Sequence, residues 1–80
     1  MIRNTAAKTS SSFETSYPTI TEWIKSSGWI EIGQDDESHS MVRALGEGGL
    51  VWEGRTKYKT LDELWRDLEA GLANWMQENG

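Results

Sequence analysis

The chain has 80 residues, a net charge of −5 and no cysteine. This length allows one domain, and the lack of cysteine excludes disulfide bonds and zinc sites with thiolate ligands. Because the net charge is negative, nucleic acid is not an expected partner. Five residues are tryptophan, so we expect aromatic packing to stabilise a domain too small for a large core.

Residues 1–16 are rich in serine and threonine, and Phe13 is their only aromatic residue. They offer too little apolar surface to offset the entropy that ordering costs. The sequence therefore predicts a disordered tail over residues 1–16 and one domain over residues 17–80. Neither a secretory signal nor a membrane span is predicted, because no apolar run is long enough, and the expected compartment is the cytoplasm.

A short helix is predicted at the start of the domain. Thr19 and Glu22 have the spacing of a capping box, and an apolar stripe that includes Trp23 follows them. Gly28 is a typical helix terminator. A helix of about two turns is not stable alone, so it has to pack against the rest of the domain.

Three short strands follow, over Trp29–Ile32, Met41–Leu45 and Leu50–Glu53. Each combines apolar or β-branched residues with turn residues at its ends. Alternation along the first strand separates its side chains into two faces: Ile30 and Ile32 on one, Trp29 and Glu31 on the other.

A glycine-rich run over residues 46–49 predicts a tight hairpin between the second and third strands. With Leu45 opposite Leu50, Arg43 would lie opposite Trp52 on the same face. Both faces of the sheet would then be more apolar than a solvated face should be. We interpret one face as a candidate interface for a second copy of the chain or another protein: Met41, Arg43, Leu45, Leu50 and Trp52.

Basic residues alternate after the third strand at Arg55, Lys57 and Lys59. This pattern is a candidate contact for an anion or an acidic partner. The alternative is that lysine on an exposed strand edge discourages aggregation.

A long amphipathic helix is predicted to close the chain, because Thr60 and Glu63 form a second capping box. Gly71 lies at the edge of its apolar stripe, where we expect a neighbouring backbone to approach closely. The stripe has helical spacing: Leu61, Leu64, Trp65, Leu68, Leu72, Trp75 and Met76. The predicted fold is therefore α+β, with a three-stranded antiparallel meander flanked by a short N-terminal and a long C-terminal helix.

The runs GWIEIGQDD, MVRALGEGGLVWEG and YKTLDEL resemble a group of small uncharacterised proteins of cyanobacterial type. The resemblance covers residues 17–75 and follows residues that determine a fold. It implies an α+β domain, and it implies neither an activity nor site residues.

An acidic loop contains the groups most able to bind a metal or a proton: Asp35, Asp36, Glu37 and His39. Their spacing matches no known calcium-binding loop, so we interpret the loop as solvated. His39 is the only histidine, and no motif for a nucleophile accompanies it. We therefore expect no catalytic residue, no metal ligand and no cofactor.

Two functions remain open from the sequence. The first is a small non-catalytic interaction module that self-associates or binds a protein partner through an apolar sheet face. The alternative is a small-molecule-binding domain with a pocket between sheet and helices, lined by Trp23, Trp29, Trp52 and Trp65.

Overall fold

One antiparallel sheet and two main helices make up the fold. The computed structural model describes residues 13–34, 37 and 39–79. The elements in chain order are α1 (Pro18–Ser26), β1 (Gly28–Ile32), β2 (Val42–Gly46), β3 (Gly49–Glu53) and α2 (Leu61–Asn79). The strands pair in the order β1-β2-β3. The predicted α+β architecture is confirmed.

Both helices pack on the same face of the sheet. α1 contacts β1, α2 contacts β2 and β3, and the two helices contact each other. Val42 and Ala44 of β2 point into this layer. The buried core lies between the layers: Ile20, Trp23, Val42, Ala44, Leu64, Leu68 and Leu72. The described helices therefore leave the second face of the sheet uncovered.

The start of α1 differs from the prediction. The helix begins at Pro18, and its N-cap residue makes no side-chain hydrogen bond, so the predicted capping box at Thr19 is wrong. Proline suits the first position of a helix because it has no N–H group to satisfy. The N–H groups of Thr19 and Ile20 donate to the carboxylate of Glu69 in α2, at 2.9 and 3.0 Å. The cap thus comes from the other helix.

Gly28 is the first residue of β1 and does not terminate α1 in a left-handed conformation. Its role is steric. A Cβ atom at this position would collide with the carbonyl oxygen of Leu45 and lie 2.9 Å from the ring of Trp23. The predicted helix terminator is therefore wrong, and close packing between α1 and the sheet requires the glycine.

The hairpin between β2 and β3 has the predicted closing pair but not the predicted register beyond it. Leu45 pairs with Leu50, and a β-bulge follows between Leu45 and Ala44. Trp52 consequently lies opposite Ala44 and not opposite Arg43. The alternation rule missed this because a bulge adds one unpaired residue, which reverses the faces of the residues after it.

The bulge turns Trp52 onto the face of the sheet that the helices cover. A Cβ atom at Gly71 of α2 would meet the indole ring of Trp52. The expectation that a neighbouring backbone approaches Gly71 is therefore wrong, because a side chain fills the space.

Residues 13–16 are helical, within the stretch for which the sequence predicts a disordered tail. The ring of Phe13 lies 5.2 Å from that of Tyr17 and 5.6 Å from that of Trp65 in α2. Aromatic pairs at such distances stabilise a fold beyond the area that they bury. The domain therefore starts before Tyr17, and residues 1–12 lie outside the described residues.

Candidate interaction surface

The uncovered face of the sheet carries a row of apolar side chains across all three strands. Trp29 of β1 pairs with Leu45 of β2, which pairs with Leu50 of β3. Trp29 is 48% exposed and Leu50 is 53% exposed. We call these three residues the apolar row. A half-exposed tryptophan beside two leucines is the kind of surface that marks a binding site.

A charged row lies beside the apolar row. Arg43 of β2 has Glu31 of β1 on one side and Glu53 of β3 on the other. Its Nε donates to Oε1 of Glu31 at 3.2 Å. Opposite charges directly across an antiparallel pair stabilise the sheet by about 0.2–1 kcal/mol. This row has one positive and two negative groups, so it leaves the face slightly acidic.

Arg43 also ties together the two ends of the loop between β1 and β2. Its guanidinium donates to the carbonyl oxygen of Gly33 at 2.8 Å and to that of Ser40 at 2.6 Å. Only 17% of the side chain is exposed. The guanidinium therefore makes internal contacts, and Arg43 does not share a face with Trp52 as predicted. No sequence pattern marks this role.

The structure brings together three of the five residues of the predicted interface, and the interface itself stays a prediction. Leu45 and Leu50 lie together on the uncovered face, with Arg43 beside them. Trp52 lies on the other face because the bulge turns it inward, and Met41 is partly buried against the core. Trp29 joins Leu45 and Leu50 through the pairing of β1 with β2, which the sequence did not predict.

The basic stretch after β3 is an irregular connection and not a strand. Its three basic residues line a surface pocket with Tyr58 and Glu63: Arg55, Lys57 and Lys59. The guanidinium carbon of Arg55 lies 4.4 Å from the centre of the Tyr58 ring. Its Nε lies 3.9 Å from a carboxylate oxygen of Asp67.

Tyr58 holds this connection against α2. Its hydroxyl donates to Oδ2 of Asp67 at 2.6 Å and accepts the N–H group of Arg55 at 2.9 Å. Burial, and then the hydrogen bond to Asp67, raise the pKa of the Tyr58 phenol above its ordinary 10.0. Since Asp67 and Glu63 offset much of the positive charge, an anion contact at this pocket stays a prediction.

Two of the acidic loop residues, Asp35 and Asp36, lie outside the described residues. Glu37 and His39 are exposed. Among the residues that the structure describes, no three histidine, cysteine or acidic side chains come close enough to hold a metal ion. The loop therefore contributes no described site.

The four tryptophans of the alternative pocket do not come together. Trp23 is 4% exposed and packs edge-on against Trp75, with ring centres 5.7 Å apart. Trp52 fills the space at Gly71, and Trp65 packs with Phe13. The fourth, Trp29, is on the opposite face of the sheet. These contacts are those of a core and a surface row, so no shared pocket forms.

No family model matches this chain, and no curated protein and no solved structure matches it. The resemblance to cyanobacterial-type proteins therefore stays a prediction. None of the helices in the described ranges has the length and apolar character that crossing a bilayer requires.

Proposed function

We propose that the chain is a small non-catalytic interaction module that self-associates, binding a second copy through its sheet. The observation that carries this proposal is the apolar row, in which Trp29 and Leu50 are each about half exposed. Large apolar side chains grouped on an uncovered face mark an interaction site more often than single exposed ones do. We propose the cytoplasm as the compartment.

The size of the surface sets the expected strength of the association. Three strands about 4.8 Å apart and five residues long, with a rise of about 3.3 Å per residue, give a face of roughly 14 by 17 Å. Two such surfaces bury less than the roughly 1,200 Å² of a standard stable interface. We therefore expect a weak dimer whose population depends on concentration.

The charged groups that the structure brings together support a non-catalytic role. Arg43 is bonded to Glu31 and to two carbonyl groups, and the hydroxyl of Tyr58 is bonded to Asp67. Each of these groups stabilises a loop or a connection. The alternative of a small-molecule pocket has no comparable support, because its four tryptophans are separated.

Light scattering over a concentration series tests the proposal. The wild-type mass should rise from that of a monomer towards that of a dimer, and Trp29→Glu should stay monomeric at every concentration. Leu61→Glu is the matched control, because Leu61 is 65% exposed and is the first residue of α2, outside the apolar row. A wild-type chain that stays monomeric, or a Trp29→Glu variant that associates like the wild type, would contradict the proposal.

A further inference from the structure

We infer that two copies join through β1, which pairs with β1 of the second copy as an antiparallel neighbour. A two-fold axis then relates the copies, and two three-stranded sheets become one continuous sheet. This inference rests on the proposed self-association and gives its geometry.

The main-chain groups of β1 point to an open edge. The carbonyl of Val42 accepts the N–H group of Gly54 at 2.9 Å, so the main chain of Val42 faces β3. Residues of an antiparallel strand alternate between their two neighbours. Ile32, which is opposite Val42, therefore directs its N–H and C=O groups away from β2, and so do Ile30 and Gly28. Among the described residues, β1 has only β2 as a neighbour.

β1 has few of the features by which proteins protect an edge strand. Its sequence, GWIEI, has no lysine or proline, and its pairing with β2 runs without a bulge. Its one charged residue, Glu31, is bonded to Arg43 of β2. The other edge strand, β3, contains a bulge, and the basic connection over residues 55–59 follows it. Bulges and basic residues discourage pairing with another chain. The two edges therefore differ, and β1 is the one open to a partner strand.

Exposed apolar side chains concentrate around the same edge. Trp29 and Ile32 of β1 are 48% and 44% exposed, on opposite faces of the strand. Ile24 is 51% exposed on α1, which packs on β1. A strand added at this edge, with the helix that it carries, would cover apolar surface on both faces of the sheet. A partner that only stacks on the uncovered face would leave Ile32 and Ile24 exposed.

One register pairs all the outward main-chain groups of β1. With the two-fold axis at Ile30, Trp29 lies opposite Glu31 of the second copy, and Gly28 lies opposite Ile32 of the second copy. The outward main-chain N–H and C=O groups of Gly28, Ile30 and Ile32 then form about six hydrogen bonds with those of the second copy. Centring the axis on Glu31 places like charges opposite each other, which is destabilising. Centring it on Trp29 leaves about four hydrogen bonds.

Electrostatics also favour the edge over face-to-face stacking. The charged row of each copy has Glu31 and Glu53 around a single Arg43. Stacking two such faces would bring acidic rows together and remove them from water, which is costly for charges without new partners. Edge pairing leaves both rows in solvent.

Amide hydrogen exchange of the wild-type chain, measured by NMR, tests the inference. Spectra are compared well below and well above the dimer midpoint found by light scattering. The amides of Ile30 and Ile32 should exchange freely in the monomer and become about ten-fold slower when roughly nine-tenths of the chains are dimeric, since exchange then requires dissociation. The amides of Trp29 and Glu31 bond within the sheet, so they should be protected at both concentrations.

Two variants extend the test. Leu50→Glu should dimerise like the wild type, because Leu50 lies on the strand farthest from the proposed axis. Ile32→Lys places a charge at the pairing edge and should raise the dimer Kd at least ten-fold. A dimer with freely exchanging Ile30 and Ile32 amides, abolished by Leu50→Glu, would overturn edge pairing and leave the proposed function standing. A monomer at every concentration would overturn both.

Discussion

Replacing Gly71 by alanine should destabilise the protein, although alanine is the better helix former. In an exposed helix, Gly→Ala stabilises by about 1 kcal/mol. Here the added Cβ atom would lie 2.7 Å from Cζ2 of Trp52 and still closer to two other indole atoms. Overpacking of this kind costs about 1–3 kcal/mol. The net expectation for Gly71→Ala is therefore a loss of about 1 kcal/mol in the free energy of unfolding.

Urea unfolding followed by circular dichroism measures this change, and a double-mutant cycle identifies its cause. In a Trp52→Leu background the space beside residue 71 is larger, so Gly71→Ala should there stabilise by about 1 kcal/mol. The reasoning would be refuted if Gly71→Ala stabilised the wild-type chain by the full helix-propensity gain. It would also be refuted if the effect of Gly71→Ala were the same in both backgrounds.

Three further predictions concern packing, capping and titration. Leu68→Ala should cost about 2–5 kcal/mol of unfolding free energy, whereas Leu61→Ala should cost well under 1 kcal/mol, because Leu68 is 0% exposed and Leu61 is 65% exposed; equal denaturation midpoints would contradict the assignment of the core. Glu69→Ala should cost about 1–2 kcal/mol of unfolding free energy in urea titrations by removing the cap of α1, and Glu78→Ala, on an exposed residue of α2, should cost little in the same titrations; equal losses for the two variants would contradict the cap. The pKa of Tyr58 is raised above 10.0 in the folded state, so its contribution to stability is complete below pH 10 and is lost as the pH rises through the folded-state value. Tyr58→Phe should therefore weaken the loss of stability at alkaline pH. An unchanged dependence of the unfolding free energy on pH between pH 9 and 12 would disprove this.

The order of the elements followed from the sequence because local signals agreed with one another. The cap at Thr60 is present, with its hydroxyl accepting the N–H group of Glu63 at 3.1 Å. The carboxylate of Glu63 accepts the N–H group of Lys59 at 3.2 Å in place of that of Thr60, so the capping box is half formed. The glycine run closes the hairpin at the pair next to Leu45 and Leu50. Such signals depend on residues a few positions apart, which a sequence displays directly.

The features that the sequence did not predict depend on residues far apart in the chain. Glu69 caps α1 from 49 and 50 positions away, and Trp52 determines the need for Gly71. The bulge between Ala44 and Leu45 leaves no clear mark in a pattern of alternating apolar residues. Tertiary contacts decide each of these cases, so local spacing could not reveal them.

In the candidate site, too, the local features could be predicted from the sequence and the contacts between distant residues could not. Alternation separated Trp29 from Ile30 correctly, and Leu45 and Leu50 were placed correctly on one face. Predicting that these residues form one row would have required the register of β1 on β2. No tight turn joins those two strands, so the sequence does not fix that register.

An isotope-filtered NOE experiment on a mixture of labelled and unlabelled chains tests most directly whether a second copy binds at β1. In the inferred register, Trp29 and Glu31 of the second copy form a pair without main-chain hydrogen bonds, whose Cα atoms lie about 4.5 Å apart. We predict an intermolecular cross-peak between the Hα atoms of Trp29 and Glu31. A sample shown to be dimeric that gives no such cross-peak, and gives intermolecular contacts from Leu45 and Leu50 instead, would contradict pairing through β1.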